Sequence, residues 1–251
     1  MRTAAILPVK RFERAKARLA PGLPDRLRGE LARAMVSDVL LALAGCEAIE
    51  RTIVVSGERS LPRAQLGGAA VLEDKDELGQ SAAVAAGIEH ALAQGAQRVL
   101  CIPGDCPALD AAELDALLTR TGDGESGEAE VVIVPDRHGT GTNGLLLCPP
   151  RAIAPSFGPG SCQRHIELAH RAGVRHRLVR VPSLQLDIDT ASDLEALVAA
   201  LEASLGGPAA GLGGGRARAI GGRAEHTRVL LSRATGSGVP ARTAASQAAA
   251  R

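Results

Sequence analysis

From residue 3 to about residue 205, short apolar runs alternate with longer stretches of helical character, and this alternation restricts the fold more than any other feature of the chain. The runs at 3–9, 51–56, 69–73, 98–102, 131–134, 144–148 and 178–181 are of strand length and rich in Val, Ile and Leu. Between them, 25–44, 80–93, 110–119, 161–172 and 192–205 read as helices; the first carries Leu27, Leu31, Met35, Val39 and Leu43 at four-residue spacing. Asp110 and Glu113 stand at capping-box spacing at the start of one of them. Strands that are apolar throughout need cover on both sides. The pattern therefore predicts an α/β fold of Rossmann-like type, a mostly parallel mixed sheet with helices on both faces.

The alternation stops near residue 206. Beyond Gly206-Gly207-Pro208 the chain is dominated by Gly, Ala, Arg and Ser and offers little to bury. The expectation is one domain over 1–206 and a disordered tail over 207–251, with a short helix or strand around 227–231 as the one exception. Only two aromatic residues occur, Phe12 and Phe157, and the formal net charge is +1. Neither stacking platforms for single-stranded nucleic acid nor bulk attraction to polyanions or membranes is supported by such a composition. The five cysteines (Cys46, Cys101, Cys106, Cys148, Cys162) are irregularly spaced and lie in or beside apolar stretches, as small core residues of a reduced protein would. The first apolar run meets Lys10-Arg11 too early for a signal peptide, and no stretch is long enough to span a bilayer. A cytoplasmic protein is expected.

Chemistry concentrates where strands end. Cys101-Ile102-Pro103-Gly104-Asp105 and Leu186-Asp187-Ile188-Asp189-Thr190 each read as an apolar strand closing on carboxylates. In a strand Asp187 and Asp189 would share one face, so both could approach one divalent ion, with Asp105 as the partner from the other segment. Pro8-Val9-Lys10-Arg11 places fixed positive charge after the first strand, and Lys16 follows closely. Only three of the 29 basic residues are lysines (Lys10, Lys16 and Lys75), which suggests that a compact point charge is required at the first two. This basic segment could cradle a triphosphate or an anionic substrate; it lacks the glycine spacing of a Walker loop. Gly79 and Gln80 open a helix, offering backbone N–H groups and an amide to a nucleotide base. The stretch 135–144 mixes Gly, Thr and Asn, including Thr142 and Asn143, and admits a ligand close to the backbone. Gly158-Pro159-Gly160-Ser161 forms a turn at the positive end of a helix, a natural phosphate or carboxylate site. Each segment alone also has a plain structural reading: a solvated basic loop, a helix entry, a capping or turn aspartate, a hairpin connection, or Ser161 as an N-cap.

Taken in order, these segments resemble the guanylyltransferase family of coenzyme F(420) biosynthesis, the phosphoenolpyruvate or 2-phospho-L-lactate guanylyltransferases. The likeness covers about residues 3–205 and is most specific in Pro8-Val9-Lys10-Arg11, Gly139-Thr140-Gly141-Thr142-Asn143, Phe157-Gly158-Pro159-Gly160-Ser161 and Leu186-Asp187-Ile188-Asp189-Thr190. It implies a nucleotide-diphospho-sugar transferase (GT-A type) fold and transfer of GMP from GTP to a three-carbon phosphate. It further implies Lys10, Asn143, Gly158 and Ser161 around the acceptor, and Asp105 with Asp187 on Mg²⁺. Together with the residue reading this gives Lys10, Asp105 and Asp187 as catalytic and Thr142 as a further acceptor contact. Arg11, Lys16, Gly79 and Gln80 are assigned to the nucleotide, and Asp189 to the metal. Two rivals stand beside it: a nucleotidyltransferase of the same architecture acting on molybdopterin or a sugar phosphate, which would usually carry a Gly-Gly loop after the first strand, and a non-catalytic binding protein of this fold. The Arg- and Ala-rich composition suggests a GC-rich bacterium, for which phosphoenolpyruvate is the expected acceptor.

Overall fold

The computed structural model describes residues 1–19, 23–120, 129–206 and 224–236. Seven strands form one sheet in the order β3-β2-β1-β4-β6-β5-β7. They are β1 (Thr3–Val9), β2 (Arg51–Ser56), β3 (Ala70–Glu73), β4 (Arg98–Cys101), β5 (Glu130–Pro135), β6 (Thr142–Cys148) and β7 (Arg175–Leu178). β1 lies between β2 and β4, parallel to both, with Leu7 opposite Val54 and Ile6 opposite Cys101. β6 runs antiparallel to β4 and β5, and β7 resumes the parallel direction beside β5.

Alternation along β1 divides the core. Ala5, Leu7 and Val9 face a cluster with α1 (Asp25–Ala44) and α4 (Ala111–Arg120). Ala4 and Ile6 face the opposite cluster with α3 (Gln80–Ala93) and α5 (Ser161–Arg171). Because successive strand side chains point to opposite faces, an apolar strand seats two helical layers at once. A third cluster joins Leu31 and Met35 of α1, Ile188, and Leu197 of α6 (Ala191–Gly206), with Leu230 and Leu231 of α7 (Glu225–Gly236) packed against it. A single helical turn, α2 (Arg63–Leu66), completes the described elements together with three short 3₁₀ turns. All five cysteines are free thiols, and all but Cys148 are buried. Among the described residues no helix is long and apolar enough to cross a membrane.

Two expectations are corrected. The last strand lies at Arg175–Leu178 rather than at 178–181. It is an edge strand whose Arg177 Nε and Arg175 Nη2 reach Glu130 Oε1 at 2.7 and 3.5 Å, so it carries polar side chains where a buried strand would be apolar. Val181, whose apolar character suggested the strand, instead enters the core at the 3₁₀ turn Pro182–Leu184. Residues 186–189 do not join the sheet either. One backbone bond, from Ile188 N–H to the Asp105 carbonyl at 3.1 Å, fixes this extended segment beside the loop that follows β4.

Most of the expected tail, 207–223 and 237–251, lies outside the described residues. Within it α7 covers the position allowed for a short element and packs on α1. Asp38, buried in α1, accepts from the backbone N–H groups of His226 and Thr227 at 2.8 and 2.9 Å and lies 3.0 Å from His226 Nδ1. Those amides belong to the first turn of α7, where no intrahelical acceptor exists, so Asp38 does from a neighbouring helix what an N-cap does locally. Asp38→Ala is expected to cost about 1–3 kcal/mol by removing a cap and leaving buried donors unmatched. It should also expose Arg228 and Arg233 to trypsin. Denaturant midpoints and limited proteolysis check this, and wild-type cleavage rates would refute the docking role.

Candidate active site

The C-terminal ends of the parallel strands open into a cavity of about 490 Å³. This is where open α/β sheets place their ligands. Lys10, Arg11, Arg14 and Lys16 line it from the segment after β1, Gly57 and Asp74 from the ends of β2 and β3, and Gly79 and Gln80 from the start of α3. Gly104, Asp105 and Asp189 complete the opposite side. Every residue assigned to the nucleotide from the sequence is on this wall.

The two aspartate segments do converge. The Ile188–Asp105 backbone bond sets them side by side, with the Ile188 side chain buried. Lys16 extends its ammonium between them, 2.5 Å from Asp105 Oδ2 and 3.0 Å from Asp189 Oδ1, with its side chain only 6% exposed. Burial alone would lower the ammonium's affinity for its proton; Asp105 and Asp189 more than offset that and hold it above the ordinary lysine range. Lys10 is exposed on the cavity wall and, among the described residues, has no carboxylate partner. Asp187 is held differently: its Oδ1 accepts from Asn143 Nδ2 at 3.0 Å, while Asn143 also donates to the Leu184 carbonyl at 2.8 Å. Desolvation first, and then the nearby Asp105 and Asp189 charges, push the Asp187 carboxyl above its usual range. Three carboxylates thus feel one another electrostatically.

The donor set suits a hard divalent cation. Asp105 Oδ1 is buried and lacks any hydrogen-bond partner, an acceptor with nothing in the protein to serve it. Among the described residues no three His, Cys, Asp or Glu side chains form a ready metal-holding group. Mg²⁺ characteristically takes one or two protein carboxylates and completes its shell with water and substrate phosphates.

At the cavity mouth Glu77, with φ +46°, pairs with both Arg11 and Arg14, the latter at 2.8 Å. Gly57 lies beneath: a Cβ there would stand 2.6 Å from Glu77 Oε1. Gly79 has φ +105°, a conformation that glycine adopts without strain, as it turns the chain into α3. Ser81 accepts from the Phe157 N–H at 2.8 Å, tying the turn at 156–161 to the start of α3.

That turn is organised by His165, a residue whose role spacing could not show. His165 is fully buried; its Nε2 accepts from Ser156 N–H at 2.9 Å, which leaves Nδ1 to donate to Thr142 Oγ1 at 3.0 Å. Arg164 donates to the carbonyls of Ser156 and Phe157 at 3.0 and 3.1 Å and to that of Pro159. Gly158 and Gly160 are both at positive φ, and Gly160, not Ser161, occupies the N-cap position of α5; Ser161 is the first helical residue and is buried. Asp136 accepts from the N–H groups of His138, Thr140 and Gly141 at 2.9–3.1 Å and so shapes the hairpin, while Cys162 N–H reaches the Thr140 carbonyl at 3.1 Å. Thr190 and Asp193 form a capping box at α6: Asp193 Oδ2 accepts from Thr190 N–H at 2.7 Å, and Asp193 N–H lies 3.3 Å from Thr190 Oγ1. Thr142, Asn143, Gly158, Ser161 and Asp187 are not on the wall of the main cavity.

Residues 3–202 match the family model described as "Guanylyl transferase CofC like". The chain belongs to this family. It is 51% identical over 198 residues to a phosphoenolpyruvate guanylyltransferase of Conexibacter woesei, covering 78% of this chain and 87% of the relative. It is 35% identical over 199 residues to a 2-phospho-L-lactate guanylyltransferase of Methanothermobacter thermautotrophicus, covering 79% and 85%. A solved nucleotide-diphospho-sugar transferase-like protein of Desulfovibrio desulfuricans superposes with a TM-score of 0.67 at 17% identity, covering 94% of this chain and 96% of that one, which establishes the shared fold. The guanylyl transferase family and the expected GT-A type architecture are therefore both confirmed.

Burial lowers the His165 imidazole to about 4, with Arg164 adding to the effect. A depressed histidine stabilises the fold above its unfolded value near 6.5 and loses that contribution as pH falls toward 4. Between pH 7 and pH 5 the loss should be about 2 kcal/mol. Denaturation of the wild type and of His165→Asn at both pH values checks this: the variant should be less sensitive to acid, and an equally steep loss would refute the assignment.

Proposed function

We propose that this protein transfers GMP from GTP to phosphoenolpyruvate, forming enolpyruvyl-diphospho-guanosine and pyrophosphate, as a step of coenzyme F(420) biosynthesis. One observation carries the reading: a single cavity sets a cationic wall, Lys10 with Arg11, Arg14 and Lys16, against carboxylates from two distant segments, Asp105 and Asp189, with Asp187 behind them. A triphosphate needs the first and its counter-ion the second. The names of the relatives at high identity supply guanine and the acceptor class, and the 51% identical relative is named for phosphoenolpyruvate.

In this reaction a phosphate oxygen of the acceptor attacks the α-phosphorus of GTP, and the bond to the β-phosphate oxygen breaks as pyrophosphate leaves. The protein contributes position and charge rather than a nucleophile. Lys10 lines the cavity, has no carboxylate partner among the described residues, and would hold the two anions together. Arg11 and Arg14 would exchange Glu77 for phosphate oxygens, and Gly79 and Gln80 would present N–H and amide groups to the nucleotide. The turn 158–161, braced by Arg164 and His165, would receive the acceptor carboxylate and phosphate, with Thr142 and Asn143 fixing the strand beside it. Asp105 and Asp187, with Asp189 adjoining, would hold Mg²⁺, which supplies charge neutralisation to the reacting phosphates. A 2-phospho-L-lactate acceptor is the second reading, carried by the 35% identical relative.

Purified protein with GTP, Mg²⁺ and each acceptor separately should release pyrophosphate with phosphoenolpyruvate and give a product of the mass of the GMP adduct. Release with 2-phospho-L-lactate alone would move the assignment to the second reading, and release with neither would end both. Asp105→Asn should lower kcat at least 100-fold, about 2.7 kcal/mol, in a protein with a wild-type melting profile. Near-normal turnover would exclude Asp105 from the site.

A further inference from the structure

Lys16 combines four features that pairing alone does not explain. Its ammonium serves two carboxylates from segments 84 residues apart, Asp105 and Asp189, and is almost fully buried. Its backbone has φ +57°, in the left-handed region that a residue with a side chain enters only at a cost. The second oxygen of Asp105 stays buried without a partner although the ammonium is 2.5 Å from the first. And the residue is on the wall of the cavity assigned above to the triphosphate. An ion pair selected for stability would satisfy both oxygens and avoid the strained backbone.

We propose that Lys16 and the divalent cation compete for Asp105 and Asp189, and that the triphosphate resolves the competition by taking the ammonium. The inference rests on the reading of this cavity as a metal–nucleotide site. A cation arriving alone must displace a buried ammonium and leave it without an anion, which is costly in a low-dielectric environment. A cation arriving with a triphosphate brings the ammonium a new partner within reach of its flexible four-carbon stem. Lys16 thereby makes metal binding conditional on nucleotide, and it is a positioning residue for the carboxylates before it becomes a phosphate contact.

The full chain and Mn²⁺ provide the test, with no acceptor present. Free Mn²⁺ measured by electron paramagnetic resonance should show Lys16→Met, a neutral side chain of similar length, binding Mn²⁺ at least tenfold tighter than wild type when no nucleotide is added. Equal or weaker binding by a folded variant overturns the proposal. Wild-type protein labelled with ¹³Cε-lysine gives a second readout that needs no stable variant at position 16, because the chain has only Lys10, Lys16 and Lys75 to distinguish. Lys10→Met and Lys75→Met assign the signals by elimination. The Lys16 signal should move when Mg²⁺ and a non-hydrolysable GTP analogue are added together and stay in place with Mg²⁺ alone; a signal unmoved by both, or moved by Mg²⁺ alone, also overturns it. Pyrophosphate release in the acceptor assay is independent of either result. Turnover without the Mn²⁺ effect refutes the competition and leaves the enzyme reading intact, whereas absence of turnover refutes the enzyme reading itself.

Discussion

Three carboxylates in one corner of a protein repel one another, and the organisation of this molecule follows from how that repulsion is managed. Desolvation, and after it the charges of nearby Asp105 and Asp189, hold the Asp187 carboxyl above its usual range. Lys16 bridges two of them and the Asn143 amide engages the third. Neither partner is local in sequence. The corner exists only because the sheet, the extended segment at 186–189 and the turn after β1 arrive at one place, so folding and site assembly are a single event.

The scaffold behind this corner is rigid where it must be. Ile188 anchors the carboxylate segment in a cluster with Leu31, Met35 and Leu197, and α7 covers that cluster from outside with Leu230 and Leu231. Asp193 does double service, capping α6 through Thr190 and pairing with Arg137 of the hairpin at 2.5 Å. A chain of hydrogen bonds then runs from Asp187 through Asn143 on β6, and from neighbouring Thr142 through His165 to Ser156; Phe157 continues it to Ser81 at the head of α3. The two ends of that chain are the carboxylate corner and the start of α3, whose Gly79 and Gln80 line the cavity. The turn at 156–161 is thus tied both to β6 and to the head of α3.

Much of the fold was legible because its elements carry local signals. The helix at 25–44 follows Pro24 and ends at Gly45, with an apolar stripe at regular spacing; β1 and β2 carry the apolar runs 4–9 and 53–55; Gly79 marks the entry to α3. β7 was misplaced because an edge strand with arginines facing water lacks the apolar run that signals a buried one. For the candidate site, apolar runs closing on carboxylates pointed to Asp105 and Asp187; Asp105 and the basic segment do follow β4 and β1, whereas 186–189 reaches them as an extended segment outside the sheet. What spacing could not convey was pairing between long side chains: that Lys16 rather than Lys10 enters the carboxylate corner, that Glu77 holds two arginines, or that a histidine on the buried face of α5 joins the turn at 156–161 to β6. Such contacts depend on side-chain reach and burial, which emerge only once the elements are packed. The same holds for Asp38 and α7, joined across 188 positions of sequence.

Residue chemistry at position 16 sharpens the meaning of that corner. Arginine outnumbers lysine 26 to 3 in this chain, the 26 following from 29 basic residues less three lysines. An arginine at this position could engage a carboxylate with a planar fork, and its several fixed donors favour a permanent bidentate clamp. A lysine offers one compact charge that rotates freely about its terminal bonds and is equally content with a carboxylate or a phosphate oxygen. A residue required only to neutralise Asp105 and Asp189 would be better as the former. The residue present is the one suited to letting go, and it stands at the boundary between the carboxylates and the space where a triphosphate would lie.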